Sequence, residues 1–543
     1  MKNNHQIRIE EITIRLDEDE NVLASRVTEI LEIEEKELLE FTIVKRAIDS
    51  RNKRKILFVY SVDVTIKNPE DFLVKIAETH KDKIKRHRIR LVTPYIYELK
   101  KVSANAKAKQ PVIVGSGPSG LFVALLLAQA GLKPLIIERG KDVEARIKDV
   151  DLFFKEGKLN KESNIQFGEG GAGTFSDGKL YTMVDNPRKK FIFDELIEAG
   201  ASPEIAIDAQ AHIGTDKLRK IVKNIREKII KLGGEVRFET CLNDIEIVDD
   251  KIVCAIFNEQ EKIEVDELVI AVGHSARDTY EMLYKQGLTM TAKPFAIGLR
   301  IEHQSEMINK SQYGDYYNHT KLSAARYKLV EHVTENRSVY TFCMCPGGYV
   351  VAAASEEGRL VTNGMSENAR DSKNSNSALL VNVLPSDFNS DHPLAGIEFQ
   401  RKWEEKAFSV GGGNYRAPAQ LVGDFMRNKP STDTRSVAPT YQPGVRLTSL
   451  SSCLPDYVLN SIRKALPEME RKIKGFAHPD AILTGVETRS SSPIRIFRDK
   501  NLQSNIRGVY PAGEGAGYAG GIISAAIDGM LIAEEIIEKH SQN

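Results

Sequence analysis

The residues best placed to do chemistry in this chain are glycines. Gly115-Ser116-Gly117-Pro118-Ser119-Gly120 follows the apolar run P-V-I-V at 111–114 and opens a second apolar run, L-F-V-A-L-L-L-A-Q-A-G, at 121–131. A G-x-G-x-x-G turn between a strand and a helix is a cradle for the diphosphate of a dinucleotide. Gly115 permits the tight turn, Gly117 lets backbone approach the phosphates, and Gly120 lets the helix lie close to the sheet. Pro118 and Ser119 open the helix, whose free N–H groups and partial positive charge face the anion. A strand over 134–137 then ends in Glu138-Arg139-Gly140. Glu138 sits where a carboxylate accepts from the ribose hydroxyls of an adenosine, and its charge disfavours a 2′-phosphate. Arg139 belongs to the same strand end.

Three later stretches point to a flavin at the other end of that dinucleotide. The first is G-E-G-G-A-G-T-F-S-D-G-K-L at 168–180. So many glycines cannot form a core element, but they suit backbone lying against a flat ligand. Gly171, Gly173 and Gly178 give the close approach, while Thr174, Ser176, Asp177 and Lys179 offer hydrogen bonds or charge. The second is E-L-V-I-A-V-G-H-S-A at 267–276, where a strand ending in Gly273 returns the chain to the first sheet after the expected strands 235–240, 244–248 and 252–257. The third is Y-P-A-G-E-G-A-G-Y-A-G-G at 510–521, followed by an apolar helix from Ile522. There Gly513 and Glu514 form a strand end, with Glu514 in the place of a ribityl-binding acid. Gly515, Gly520 and Gly521 form a close-approach loop, and the helix N-terminus at Ile522 points at the flavin. No second strand–G-x-G-x-x-G–helix occurs between 275 and 480, so both glycine turns are expected to serve one cofactor. No C-x-x-C lies beside these segments, which argues against a dithiol reductase. Cys343 and Cys345, two apart on a strand, would point to the same face. A redox or metal role is the alternative, but two cysteines make half a site, and buried small apolar residues is the better reading.

In this order these motifs resemble a large bacterial family of FAD-dependent dehydrogenases, or NAD(P)/FAD-dependent oxidoreductases. Further stretches look like the same family: A-I-G-L-R-I-E-H (296–303), F-C-M-C-P-G-G-Y-V-V (342–351), G-G-G-N-Y-R-A-P-A-Q (411–420), R-S-S-S-P-I-R-I (489–496) and K-R-A-I-D-S-R (45–51). The resemblance implies noncovalent FAD on the FAD/NAD(P)-binding fold, and it supplies no substrate.

The elements that must position these residues form an α/β chain. With 543 residues, two to four domains are expected. Residues 1–102 read as a small α+β domain of order β-α-β-β-α-β, suiting a ferredoxin-like plait, and 103–110 as a linker. The FAD-binding Rossmann-like domain takes 111–284 and resumes over 481–543. Between its halves, 285–480 forms an inserted α+β substrate or cap domain. Lys+Arg and Asp+Glu both number 76, so no overall field favours nucleic acid or membrane. The basic stretches Lys45–Lys55 and Lys81–Arg90 read as solvated loops. Five cysteines suggest no disulfide framework. With no secretory leader and no apolar run long enough to span a bilayer, a cytoplasmic protein is expected.

In the inserted region Arg300, Glu302 and His303 fall on one strand. Arg300 would bind a substrate carboxylate and His303 supply a proton. With Lys179 they are the expected catalytic groups, and no metal is called for. The expected activity is hydride transfer between FAD and a small organic substrate, with NAD(P)H as a transient electron donor. Two other readings compete with it: a flavoprotein delivered to RNA by the basic N-terminal domain, and a non-catalytic FAD-binding redox sensor or scaffold.

Overall fold

A computed structural model describes residues 5–102 and 109–541. The expected linker at 103–110 therefore lies outside the described residues except at its last two positions. The sheet that carries the first glycine turn has five parallel strands. In space they run Val509–Pro511, Leu268–Ile270, Val112–Val114, Leu135–Ile137 and Glu235–Arg237. Numbered along the chain this is the doubly wound order 3-2-1-4-5. Its crevice lies where the order reverses, between Val112–Val114 and Leu268–Ile270. Four of the five strands are short and wholly buried, as expected of parallel strands covered on both faces.

The segment expected as one strand over 235–240 stops at Arg237 and joins the edge of this parallel sheet. The antiparallel excursion is built instead from Leu242–Val248, Lys251–Phe257 and Glu261–Glu264. Helix Pro118–Ala130 packs under the sheet beside the C-terminal helix Ile522–Ser541. Their contact is backbone on backbone. A Cβ placed on Gly529 would stand 2.3 Å from the Ser119 carbonyl oxygen. That proximity lets both helices aim their N-termini at the same crevice.

Between the halves of this sheet the chain builds a seven-stranded sheet centred on Phe295–Gln304. That strand pairs along its full length with Asn374–Val383, from Phe295 opposite Val383 to Gln304 opposite Asn374. Its other neighbour is Ile482–Glu487, so this sheet runs past residue 480, where the second half of the FAD-binding domain was expected to have begun. I-L-T-G-V-E is buried at every position and sits between two partners, which makes it a central strand. Arg337–Cys345 lies one strand further out, on Asn374–Val383.

The N-terminal sheet has the order Glu40–Asp49, Leu57–Thr65, Gln6–Arg15, Arg90–Val92, with three helices: Val22–Leu31, Pro69–Thr79 and Lys81–His87. This is the strand order of a ferredoxin-like plait. In I-R-I-E-E-I-T-I-R the two adjacent glutamates would break the alternation. A bulge between Ile9 and Ile12, with Glu11 at φ +57°, resets it so that Ile7, Ile9, Ile12 and Ile14 all face inward. The last strand ends at Val92 rather than near 97, because Pro94 has no N–H to donate. Arg46 docks this domain on the segment 204–209, within the first part of the chain's parallel-sheet domain. Its N–H donates to the Ile207 carbonyl at 2.6 Å, its carbonyl accepts from Ala209 at 2.8 Å, and its guanidinium pairs with Glu204 at 3.0 Å.

Alanine in mid-helix ordinarily stabilises relative to glycine by roughly 0.5–1 kcal/mol. Gly529→Ala is expected to do the reverse, destabilising by about 1–3 kcal/mol as the two helices are forced apart. A lower urea midpoint with weaker FAD retention checks this.

Candidate active site

The crevice opens into a cavity of about 480 Å³, within the range of small-molecule sites. Its first wall is the turn Gly115 to Ser119 with Glu138 and Arg139, and its second is Gly513, Glu514 and Gly520 to Ile522. Both glycine turns thus border one space. The glycines divide by what a Cβ would meet. At Gly115 it would stand 2.3 Å from the Ala271 oxygen, and at Gly120 2.0 Å from the Gly115 oxygen, so these two serve the fold. Gly515 is likewise pressed on Tyr280 and Gly273; neither Gly120 nor Gly515 borders the cavity. Gly117 has ordinary helical-cap geometry and nothing nearer than the Gly171 Cα at 3.9 Å, and Gly520 has nothing within 4 Å. No protein contact requires glycine at these two positions. Gly117 and Gly520 thus leave open backbone facing the cavity, where a ligand could lie against it.

Glu138 is buried and braces three loops. Its carboxylate accepts from the N–H groups of Ser116, Gly140 and Gly168 at 3.0, 2.9 and 3.0 Å, and from the Ser116 hydroxyl at 2.7 Å. Arg139 lies over the Phe167 ring and pairs with Asp278 at 2.9 Å. Gly273 sits at φ +72° on the cavity wall, and His274 Nδ1 approaches Glu514 to 3.5 Å.

The loop 163–180 is wound around a residue that the sequence reading passed over. Arg146, fully buried, donates to the carbonyls of Asn164, Ile165, Glu169 and Gly171 at 2.7–2.9 Å. Its helix reads as an ordinary amphipathic one, so nothing in the local pattern marks it. Gly171, Gly173, Ser176, Asp177, Gly178 and Lys179 border the cavity. Thr174 does not: it is buried, with its hydroxyl on the Glu169 carbonyl at 3.0 Å. Asp177 pairs with Arg370 (Nε at 2.9 Å) and with Lys179 at 3.2 Å. Burial opposes its charge, but Lys179 and Arg370 together hold the Asp177 carboxyl below its ordinary range. Lys179 is also buried, and Asp177 keeps it protonated.

Beyond Lys179 the wall comes from the seven-stranded sheet: Thr341 to Met344, Asn363, and Glu487 to Ser490. Lys179 Nζ lies 3.8 Å from Cys343 Sγ and 3.9 Å from Cys345 Sγ. The reading of this pair as buried small residues holds for Cys345, whereas Cys343 lies on the cavity wall. Cys343 reaches that wall through sheet pairing, 164 residues away from Lys179 in sequence, with Cys345 buried behind it. Arg300 lies behind this wall and does not border the cavity. It pairs with Glu487 at 2.5 Å and donates to Asn376, the Cys343 carbonyl and Asn363 at 2.7, 3.0 and 3.1 Å. With those partners it is a scaffold cation rather than a free carboxylate binder. His303 is also off the cavity. Its ring is buried against Phe476, Nε2 bonds the Phe476 carbonyl at 2.7 Å, and burial pushes its pKa down to about 4. A neutral, enclosed ring at that position has no proton to offer a substrate. Arg489 does reach the cavity, pairing with Glu404 at 2.9 Å and donating to Ser355 at 2.6 Å.

Residues 113–168 match the NAD(P)-binding Rossmann-like domain, and residues 294–490 match the FAD-dependent protein, C-terminal domain-like family. Residues 6–65 match a domain of unknown function. A Clostridium beijerinckii protein, described only as uncharacterized, is 51% identical over 535 residues, covering 98% of this chain and 99% of its own. The chain belongs to this FAD-dependent family. Its cofactor is FAD, on a Rossmann-like nucleotide-binding fold. Solved structures are more distant. A glycine oxidase from Bacillus cereus is 13% identical over 79% of this chain and 95% of its own, with a TM-score of 0.29. A geranylgeranyl bacteriochlorophyll reductase-like protein from Thermoplasma acidophilum is 11% identical over 80% and 79%, with a TM-score of 0.34. An E. coli quinol fumarate reductase is 11% identical over 80% and 70%, at 0.35. Among the described residues no helix is long and apolar enough to cross a membrane. No group of three or more His, Cys, Asp or Glu among them is arranged to hold a metal ion.

Arg300→Leu leaves Glu487 buried and unpaired, and is expected to cost about 3–5 kcal/mol of stability. Replacing both residues by leucine should recover most of that loss in urea unfolding.

Proposed function

We propose that this flavoprotein is an oxidoreductase moving a hydride between FAD and a small organic substrate admitted at the Lys179–Arg489 end of the cavity. The observation that carries this reading is the continuity of one cavity from a diphosphate cradle to a wall of the 294–490 region. The turn Gly115–Gly120 and its helix N-terminus would hold the diphosphate. Glu138 and Arg139 border the adenosine end. Gly171, Gly173, Ser176 to Lys179, Gly273, Gly513, Glu514 and Gly520 to Ile522 would hold the flavin end. When bound, FAD supplies reversible two-electron chemistry.

The chain's own part is binding and electrostatics. The helix from Ile522 presents its partial positive charge to the cavity and favours negative charge there. Lys179, kept cationic by Asp177, adds a full charge to the same region. Lys179 and the exposed Lys328 are cations on the cavity wall that could face a substrate anion. Arg489 borders the cavity but is tied to Glu404 and Ser355, and Arg300 and His303 are engaged off it. A nicotinamide would act as a visiting electron donor, in keeping with one cradle serving FAD.

The purified protein should be yellow and release FAD on denaturation. Gly117→Val puts two methyl groups into the cradle without crowding the protein. It should therefore lower FAD retention at least tenfold while circular dichroism and the urea midpoint of the cofactor-free form stay unchanged. Wild-type protein that takes up no FAD would overturn the reading. Anaerobic stopped-flow mixing with NADH and NADPH then identifies the donor.

A further inference from the structure

The strand Arg337–Cys345 brings two sulfurs to the cavity wall in a way that strand geometry alone does not require. Its pairing with Asn374–Val383 is interrupted between Phe342 and Cys345, and Cys343 sits at φ +44°, a left-handed conformation that a cysteine seldom adopts. This irregularity places both thiols against one ammonium, Lys179, at 3.8 and 3.9 Å. The Cys345 thiol donates to the Cys343 carbonyl at 3.3 Å, and the same carbonyl accepts from Arg300 at 3.0 Å. Cys343 borders the cavity, whereas Cys345 is fully buried behind it.

The electrostatics separate this pair from the other cysteines. A hydrogen bond from Cys345, reinforced by Lys179 and Arg300, holds the Cys343 thiol well below the ordinary thiol range. Its hydrogen bond to Cys343, and then burial, push Cys345 well above that range. An acidified thiol and a second thiol two residues apart, both set against the Lys179 ammonium, is an arrangement suited to forming a disulfide. Burial alone pushes Cys453 up to about 12, and Cys241 is pushed up to about 11, chiefly by burial. Those two are inert by comparison. Lys179 belongs to the glycine loop assigned above to the flavin end, so the sulfur pair and the cofactor share a wall.

We propose that Cys343 and Cys345 are a dithiol–disulfide couple that exchanges an electron pair with the flavin. The proposal rests on the reading that puts the flavin end of FAD beside Lys179. In the oxidising direction the Cys343 thiolate and the Cys345 thiol form one S–S bond and the Cys345 S–H bond breaks. The two electrons and the single thiol proton pass to oxidised flavin, leaving it reduced, anionic and singly protonated. Charge is conserved, and the reverse step restores thiolate and thiol. Lys179 is the positioning residue: its fixed positive charge stabilises the thiolate on one side and the anionic flavin on the other.

The test uses full-length, FAD-bound protein. The chain has five cysteines. Air-oxidised protein denatured in a thiol-blocking reagent should show three free thiols, five less the bridged two, and a peptide map should link Cys343 to Cys345. Anaerobic dithionite titration should consume twice as many electrons per FAD in wild type as in Cys345→Ser. In pre-reduced protein at pH 7, Lys179→Met should slow iodoacetamide labelling of Cys343 about tenfold, the equivalent of one unit of thiol pKa. Yellow protein with five free thiols after oxidation, and a titre matching Cys345→Ser, would overturn the couple while leaving the flavoprotein reading intact. Failure to bind FAD would instead remove the reading beneath it. The wild-type thiol count decides the matter even if both variants misfold.

Discussion

The structure depends on a set of backbone-on-backbone contacts around one crevice. Gly120 lies on Gly115, Gly115 on Ala271, Gly515 on Gly273 and Gly529 on Ser119. Each is closer than any side chain allows; the first tightens one turn, and the other three fix distances between elements from different parts of the chain. Through them the strand ends at 114, 270 and 511 and the N-termini of two helices converge on a single space. A dinucleotide site as proposed here needs that convergence, since its phosphates and its ring would be held by residues some four hundred positions apart.

Around those contacts the chain buries charge at an unusual density. Arg146, Arg277, Arg300 and Glu404 are almost wholly enclosed. Glu404 answers both Arg277 and Arg489, Glu487 answers Arg300, and Asp177 answers Arg370 and Lys179. Such networks contribute little net stability compared with apolar packing, but they fix side-chain positions and leave few alternative arrangements. Here they frame the end of the cavity that faces the 294–490 region, where the chemistry has been proposed.

Much of this was legible in the sequence where local pattern and physical role coincide. G-S-G-P-S-G between two apolar runs could only be a strand–turn–helix, and Tyr510 to Gly521 announced another. The expectation that the two turns serve one ligand came from the lack of a second cradle, and the structure has both turns bordering one cavity. What stayed hidden was set by tertiary pairing. His303 looked available because it alternates with apolar neighbours, yet Phe476, distant in sequence, closes over it. Arg300 looked like a substrate anchor until Glu487 arrived from a strand assigned to another domain. The role of Cys343 depends on Lys179, and no spacing rule connects the two. Arg146 is invisible for the same reason, because its partners are carbonyls and carbonyls carry no sequence signature.

Arg146 also bears on how the cofactor is acquired. Four carbonyls of the 163–180 loop are tied to one guanidinium, and Gly168 is shaped to its stem, with a Cβ there falling 2.4 Å from Arg146 Cδ. A glycine-rich loop left to itself would have to be ordered by its ligand, at a cost of about 1–2 kcal/mol for each residue fixed. Here the protein interior has already met that cost. The loop is a preorganised surface, so the free energy of cofactor contact goes into affinity rather than into folding the site.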